Sequence, residues 1–229
     1  MLSREPVKLN LTYIMPLALF YLTIYLAADA VAYKMVAIGS ILEPGPPFIF
    51  PLSYTIADII AEVYGYAQAK KILFMTLIFQ FLYALLVTIV VNLPHPEFWT
   101  MQTAYNQVFG DLTRFVGAGS LAVVSSHFLN IYVFSKWKIL LNGKHFWLRS
   151  MGSSAIGGFI LIAVIIIFGY SGTVDTQASL SMFFSIYALE LLYAAITAWP
   201  AWLIAGYLKI KERLDVYDLN TNFNPFNFK

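Results

Sequence analysis

Long apolar segments recur along this chain, and they constrain its fold more than any other feature of the sequence. Each has roughly the 20 residues that a helix rising 1.5 Å per residue needs to cross the hydrocarbon core of a bilayer. Inside lipid the backbone must satisfy its own hydrogen bonds, so segments of this kind are predicted to be helices. The predicted spans are residues 13–37, 48–66, 71–93, 114–136, 151–172 and 180–207.

The composition agrees with a membrane protein and excludes an ordinary soluble domain. Hydrophobic residues make up 60% of the 229 residues and charged residues 11%, whereas soluble proteins carry about 25% charged residues. The chain has no cysteine, which excludes disulfides and thiolate metal sites. We therefore predict an all-α integral membrane protein with a bundle of six transmembrane helices over residues 13–207, a head over 1–12 and a tail over 208–229.

The basic residues predict the orientation of this bundle. The head, the tail and every second loop are basic, whereas the loops around 38–47, 94–113 and 173–179 hold acidic but almost no basic residues. Cytoplasmic loops carry the excess of lysine and arginine, so both termini are predicted to be cytoplasmic. The end of the tail has neither apolar periodicity nor a core, and it is expected to be flexible.

Ionisable side chains within the predicted spans are the best candidates for function, because they are costly in lipid. At 1.5 Å per residue, Asp29, Asp58 and Glu190 fall roughly 12–15 Å below the outer surface. Polar groups on the fourth span fall near the same depth, where transporters place their substrates. The candidate binding residues are Asp29, Lys34, Asp58, Glu62, Glu190, His127 and Asn130.

Structural roles are open for several of these candidates. Asp58 and Glu62 are four residues apart and share one helical face. They repel each other unless a cation, a proton or a donor-rich ligand lies between them; the alternative is that they pair with Lys34 and with lysines of the cytoplasmic loops. Lys34 either contacts the ligand or extends to the membrane interface. His127 either binds a ligand or hydrogen-bonds to a neighbouring helix.

Signatures of other protein classes are missing. The sequence has no HExxH, no GxSxG and no glycine-rich phosphate loop, so we do not expect an enzyme. The three histidines are scattered, so no metal and no cofactor is expected. The membrane topology accounts for the basic residues, and nucleic acid is not expected as a partner. We expect a transporter whose partners are a small-molecule substrate and membrane lipid.

The segment FPLSYTIADIIAEVYGYAQAKKI (50–72) resembles the queuosine precursor transporters, also called the vitamin uptake transporter family. The shared pattern is a Phe-Pro start, an Asp, then Glu-x-Tyr-Gly-Tyr and a basic pair. Further segments agree in order along nearly the whole chain: NQVFGDLTR (106–114), SHFLNIYVFSK (126–136), GKHFWLRSMGSS (143–154) and DVYDLNTNFNPF (215–226).

The resemblance implies a six-helix bundle similar to the substrate-binding subunits of vitamin importers, in the bacterial inner membrane. It also implies the cargo, 7-cyano- or 7-aminomethyl-7-deazaguanine, which is salvaged for tRNA modification. A carboxylate of Asp58, Glu62 or Asp29 would accept from the N–H and NH₂ groups of the base. Tyr54, with Tyr33 or Phe50, would supply an aromatic face.

The fourth span departs from the family pattern. It reads Ser-His-Phe-Leu-Asn over residues 126–130, where the family has Ser-Gln-x-x-Asp. Queuine or another small molecule therefore stays open as the cargo. A substrate-capture subunit that needs an ATP-driven partner module, or a homo-oligomer, also stays open as the working unit.

Overall fold

The computed structural model describes residues 11–38, 41–167, 175–225 and 227. Over these residues the protein is a bundle of helices with one short β-hairpin. The elements in chain order are α1 (Ile14–Ala30), β1 (Met35–Ile38), β2 (Ile41–Pro44), a 3₁₀ turn (Pro46–Phe48), α2 (Pro51–Tyr64), α3 (Tyr66–Val91), α4 (Gln102–Phe109), α5 (Leu112–Leu140), α6 (Phe146–Ile165) and α7 (Thr176–Glu212).

Helix α2 lies at the centre of the bundle and packs against α1, α3, α5, α6 and α7, which follow one another around it in the order α1, α3, α5, α6, α7. Every residue of α2 except Leu52 and Thr55 is buried. Pro51 lies in the first turn of the helix, where an N–H is not needed. Gly65 ends the helix with a φ of 84°, a backbone conformation that favours glycine, and α3 starts immediately afterwards.

The helices identify a multi-pass membrane protein. Among the described residues, the segments Tyr66–Val91, Phe146–Ile165 and Ser179–Glu212 are long and apolar enough to cross a membrane, and the bent pair Gln102–Gly117 and Gly119–Leu140 is a fourth if it counts as one span. In the most apolar part of α7, only 11% of the residues are buried within the protein, so the outer face of this helix is available to lipid. Helices α1 and α2 are shorter, and the six-span topology with cytoplasmic termini stays a prediction.

The structure differs from the predicted first span at its end. Helix α1 stops at Ala30, and residues 35–38 instead pair antiparallel with residues 41–44, with Met35 opposite Pro44. The continuous apolar character of residues 13–37 hid this change, because a short apolar strand and the last turns of a helix look alike in hydropathy. The ends of two other predicted segments, 1–10 and 168–172, lie outside the described residues.

The tail also differs from expectation, because residues 214–224 pack across the ends of α2, α3 and α5. We call this segment the C-terminal strap. Its Val216 N–H donates to Val63 O, and Asp218 Oδ2 accepts from the backbone N–H of Tyr66 at 2.9 Å. The expectation of a flexible tail was wrong for this segment, because it is held by individual polar contacts and by Phe223, which packs against Tyr66 and Tyr132; neither kind of contact needs apolar periodicity.

Lys138, at the end of α5, is the centre of this attachment. Its Nζ donates to Glu62 O at 2.5 Å, to Asp215 Oδ1 at 2.6 Å and to Val216 O at 2.7 Å. The side chain is 1% exposed, so the hydrogen bonds to these three acceptors replace those that the ammonium group would form with water. One lysine therefore joins the central helix to the strap.

We predict that Lys138→Ala releases the C-terminal strap, because three acceptors lose their shared donor. The expected loss is about 3–5 kcal/mol of unfolding free energy, as for removal of one member of a buried charge cluster. Hydrogen–deuterium exchange of residues 214–224 should rise strongly in the purified protein. Lys144→Ala, at an exposed lysine, is the matched control and should leave exchange unchanged; unchanged exchange in both variants would contradict the assignment.

Candidate functional site

Three candidate residues form a column along one face of α2. Tyr54, Asp58 and Glu62 follow one another at intervals of four residues, so neighbouring members lie about 6 Å apart along the helix axis. Each member meets polar groups of other helices at its own level. Beyond the start of α2, at the end of the bundle that carries the β-hairpin, the column gives way to a cavity.

The cavity has a volume of about 190 Å³ and a mostly apolar lining. Helices α1, α3, α5, α6 and α7 contribute its walls, and the 3₁₀ turn with Phe50 and Pro51 closes it towards α2. Four polar side chains line it: Asp29, Gln80, Ser120 and Glu190. Two candidate carboxylates from opposite ends of the sequence thus lie on one cavity.

Gln80 of α3 holds the carboxylate of Asp29. Its Nε2 lies 3.0 Å from Oδ1 and 2.9 Å from Oδ2 of Asp29, and both side chains are buried. Sequence reasoning missed Gln80, although a glutamine in the long apolar part of α3 was the available signal. The pair presents a carboxylate and an amide on the α1–α3 side of the cavity.

Glu190 of α7 lies on the other side, against α6. It is 4% exposed, and its Oε1 has no hydrogen-bond partner among the described residues. A Cβ atom at Gly158 would overlap the Glu190 carboxyl group, so the absence of a side chain at Gly158 makes room for it. A buried carboxylate oxygen without a donor is costly, and here it borders a cavity that a donor could enter.

His127 of α5 lies directly behind Phe50, within a cage of aromatic rings. The Tyr54 ring stacks on it with centroids 4.2 Å apart and planes 9° apart, and Phe50 approaches it edge-on at 5.4 Å. The Tyr21 hydroxyl lies 2.9 Å from Nδ1, and Ser53 Oγ lies 3.3 Å from Nε2. Both ring nitrogens therefore have protein partners, and neither His127 nor Tyr54 lines the cavity.

The hydrogen bonds around His127 define its tautomer. Ser53 Oγ gives its one proton to Phe50 O at 2.6 Å, so it accepts from an Nε2–H of His127. Nδ1 then accepts from the Tyr21 hydroxyl, whose oxygen accepts from Tyr25 at 2.9 Å. This geometry favours the interhelical role of His127 over direct ligand binding.

Asp58 and Asn130 lie one level further along the column, with two serines of α6. Ser150 Oγ donates to Asp58 Oδ2 at 2.6 Å, and Asn130 Nδ2 donates to Ser153 Oγ at 3.1 Å. All four side chains are buried. Among the described residues, Asp58 Oδ1 and Asn130 Oδ1 have no hydrogen-bond partner.

Glu62 occupies the last level and is fully paired. Arg149 grips it with Nη1 at 2.7 Å from Oε2 and Nη2 at 3.1 Å from Oε1, and Lys209 Nζ lies 2.6 Å from Oε1. Two parallel bonds from one guanidinium are the strong, directional form of this contact. The arrangement corresponds to the alternative in which Glu62 pairs with basic residues of the predicted cytoplasmic side; Lys34 takes no part in it.

Asp215 of the C-terminal strap completes this ion cluster. Its Oδ1 accepts from Lys138 at 2.6 Å and lies 3.0 Å from Lys209 Nζ. Burial raises the pKa of Asp215, but the hydrogen bonds and charges of the two lysines outweigh it and hold the pKa below the usual value. The bundle is thus closed at this end by charges that satisfy one another.

Lys34 is placed away from the other candidates. Its side chain is exposed, and its Nζ donates to Met35 O at 2.9 Å beside the β-hairpin. Within residues 11–38, 41–167, 175–225 and 227, no group of three or more histidine, aspartate or glutamate side chains is arranged to hold a metal ion.

We predict that Arg149→Lys weakens the closed end of the bundle, because an ammonium cannot form two parallel bonds to Glu62. The expected loss is about 2 kcal/mol of unfolding free energy. Thermal melting in detergent measures it, with Arg114→Lys at an exposed arginine as the matched control. Equal melting temperatures for the two variants would show that the fork is not needed.

Comparison with known proteins adds one finding to this geometry. A family model described as "Putative vitamin uptake transporter" matches residues 44–205, which is more than two thirds of the chain. The matched region includes all of α2 to α6 and most of α7. No curated protein sequence and no solved structure matches the chain.

Proposed function

This chain belongs to the vitamin uptake transporter family, and on that premise we propose that it imports a queuosine precursor. The proposed cargo is 7-cyano- or 7-aminomethyl-7-deazaguanine, taken through the bacterial inner membrane for tRNA modification. The proposal includes six spans with both termini in the cytoplasm. In that orientation the cavity opens towards the outside, and the Glu62 ion cluster closes the cytoplasmic end.

The observation that carries the proposal is the cavity with buried carboxylates on two sides. Asp29 lies on the α1–α3 side, and Glu190 with its unpartnered Oε1 lies on the α6–α7 side. The volume of about 190 Å³ is below the roughly 300–1,000 Å³ of pockets for drug-sized ligands. Such a cavity suits a ligand as small as one bicyclic base.

The chemistry of a deazaguanine matches these groups. Its pyrimidine edge carries an N–H and an NH₂ side by side, and its pyrrole ring carries a further N–H. A carboxylate accepts from paired donors, and hydrogen bonds to ionised acceptors are the stronger ones. Phe50 and Phe115, which also line the cavity, offer faces on which the ring can stack.

Family membership favours a transporter over an enzyme, and the cavity supports the same conclusion. The neighbouring histidine has both ring nitrogens bonded to Tyr21 and Ser53, so it is not free to act as a base towards a ligand in the cavity. A site that accepts donors at two edges and stacks a ring between them is suited to binding and release.

Queuosine rescue in cells tests the proposed cargo. The gene is expressed in a bacterium that neither makes nor imports deazaguanines, each precursor is supplied in turn, and queuosine in the tRNA is measured. We expect rescue by at least one of the two precursors; absence of rescue by both sinks the queuosine assignment. Uptake into proteoliposomes that contain this chain alone separates a self-sufficient transporter from a capture subunit that needs an ATP-driven partner.

We predict that Asp29→Asn and Glu190→Gln each weaken binding of the rescuing precursor about tenfold, because loss of one charged acceptor costs about 1–3 kcal/mol. Isothermal titration with purified protein measures the dissociation constant. Asp111→Asn, at an exposed aspartate, is the matched control. Wild-type affinity in both cavity variants would place the substrate elsewhere.

Gly158→Ala tests the position of Glu190 without changing a polar group. The added methyl group would overlap the carboxyl group of Glu190, so we expect the carboxylate to move and binding to weaken by about tenfold. The matched control is Gly206→Ala, since a Cβ there meets nothing within 4 Å. If both alanine variants bind like wild type, Glu190 does not hold the ligand.

A further inference from the structure

Asp58 is separate from the cavity and needs an explanation of its own. It is fully buried, and it is absent from the cavity lining. The Tyr54–His127 stack lies between it and Phe50, which faces the cavity. The role of Asp58 is therefore not explained by contact with a ligand in the cavity.

No ion pair with Asp58 is found in the part of the chain that the structure describes, and the nearest guanidinium, that of Arg149, acts on Asp58 only from a longer distance while it binds Glu62. Arg149 and Lys209 bind Glu62, and Lys138 binds Asp215 together with two backbone carbonyls. The buried titratable side chains on its own helix and on the helices packed around it are Tyr21, Tyr25 and Asp29 of α1, Tyr54, Glu62 and Tyr64 of α2, Tyr66 and Lys70 of α3, His127 and Lys138 of α5, Arg149 of α6 and Glu190 of α7, together with the partly buried Lys209 of α7. None of the basic members of this group forms an ion pair with Asp58 among the described contacts.

At the level of Asp58, two buried oxygen atoms of the described residues also lack a direct hydrogen bond. Ser153 Oγ gives its one proton to Ser150 O at 3.2 Å, so it accepts from Asn130 Nδ2, and this fixes Asn130 Oδ1 as an acceptor. Ser150 Oγ donates its one proton to Asp58 Oδ2. Two buried acceptors, Asp58 Oδ1 and Asn130 Oδ1, are left without a donor among the described residues.

A single proton on Asp58 resolves both features. It removes a buried negative charge that forms no ion pair among the described contacts, and it places a donor beside Asn130, whose Oδ1 has no hydrogen bond. A metal ion fits less well, because among the described residues no group of three or more aspartate, glutamate or histidine side chains is arranged to hold one.

We infer that Asp58 is a proton-binding site that couples import to proton movement. The coupling to import rests on the proposed function, whereas proton binding at Asp58 does not depend on it. The O–H bond at Asp58 forms when a hydronium ion from the outside gives up a proton and leaves water, in an outward-open conformation in which water passes the Tyr54–His127 stack. The bond breaks when the Glu62 ion cluster opens and the proton passes to water on the cytoplasmic side, so no other reactant is required.

Infrared spectroscopy of the purified protein without substrate tests the proton itself. A protonated carboxylic acid has a C=O stretch distinct from carboxylate stretches. The difference spectrum between wild type and Asp58→Asn at neutral pH should show the loss of one such acid band, and Asp111→Asn should show no such loss. Loss of a carboxylate band in Asp58→Asn instead would overturn the inference.

Ser150→Ala keeps the test usable if Asp58→Asn does not fold. It removes only the donor to Asp58 Oδ2, so the acid band should keep its intensity and shift in frequency. An acid band that neither shifts nor disappears in the folded variant would mean that the band does not come from Asp58, which also counts against the inference.

Proteoliposomes with a pH dye inside test the coupling, with 7-cyano-7-deazaguanine as the neutral probe. Uptake by the wild-type protein should acidify the interior and should continue unchanged without sodium. Asp58→Asn should still exchange the probe across the membrane at equal concentrations, but it should neither acidify the interior nor accumulate the probe. Acidification by Asp58→Asn, or a requirement for sodium, would refute proton coupling at this residue.

The two proposals fail in different ways. If wild-type protein does not move the probe at all, the proposed cargo is wrong, while the infrared result still decides whether Asp58 holds a proton. If the probe is transported without proton movement, the proposed cargo is supported and proton coupling is refuted.

Discussion

A short helix at the centre of the bundle carries polar side chains that have to be satisfied far from bulk water, and this requirement organises the structure. Tyr54, Asp58 and Glu62 of α2 each draw partners from α5 or α6. An unsatisfied polar group in such a place costs a large part of the stability of a domain. The surrounding helices therefore meet α2 at levels set by these three side chains.

The number of hydrogen bonds to the buried acids falls from the ion cluster towards the cavity. Glu62 binds a guanidinium and a lysine, and Asp58 binds one serine. Glu190 of α7, beside the cavity, has an oxygen without a partner among the described residues. A bundle closed by paired charges at one end and left with open acceptors at the other is ready to receive a donor-bearing ligand from one side. The paired end can open only if the charges of Glu62, Arg149 and Lys209 separate. This cost would keep the cytoplasmic end of a transporter closed while the cavity is open.

The C-terminal strap makes this closure stronger than the helices alone would. Lys138 bonds to the central helix and to the strap together, and Asp218 of the strap binds the backbone where α3 begins. Lys138 therefore joins the strap to the ion cluster, and a segment without an apolar pattern is still part of the packed structure.

Residues far apart in the chain show where prediction from sequence succeeded and where it stopped. Asp29 and Glu190 stand out in the sequence because an acid within an apolar segment is rare, but their meeting on one cavity, 161 positions apart, depends on the order of helices around α2. Gln80 was missed because it carries no charge, and the cost of charge in lipid was the main criterion for choosing candidate residues. The β-hairpin after α1 was missed because its first strand continues the apolar run of residues 13–37.

The sequence by itself determined a helical membrane protein, the buried acids that such a protein has to accommodate, and the family. Apolar length and the cost of charge in lipid are properties of local composition, so they can be read without coordinates. Only the tertiary structure decided which acid is neutralised by a guanidinium, which borders the cavity and which has no cation. Those outcomes depend on side chains of other helices approaching to within about 3 Å, the range of a hydrogen bond, and no local pattern encodes that distance.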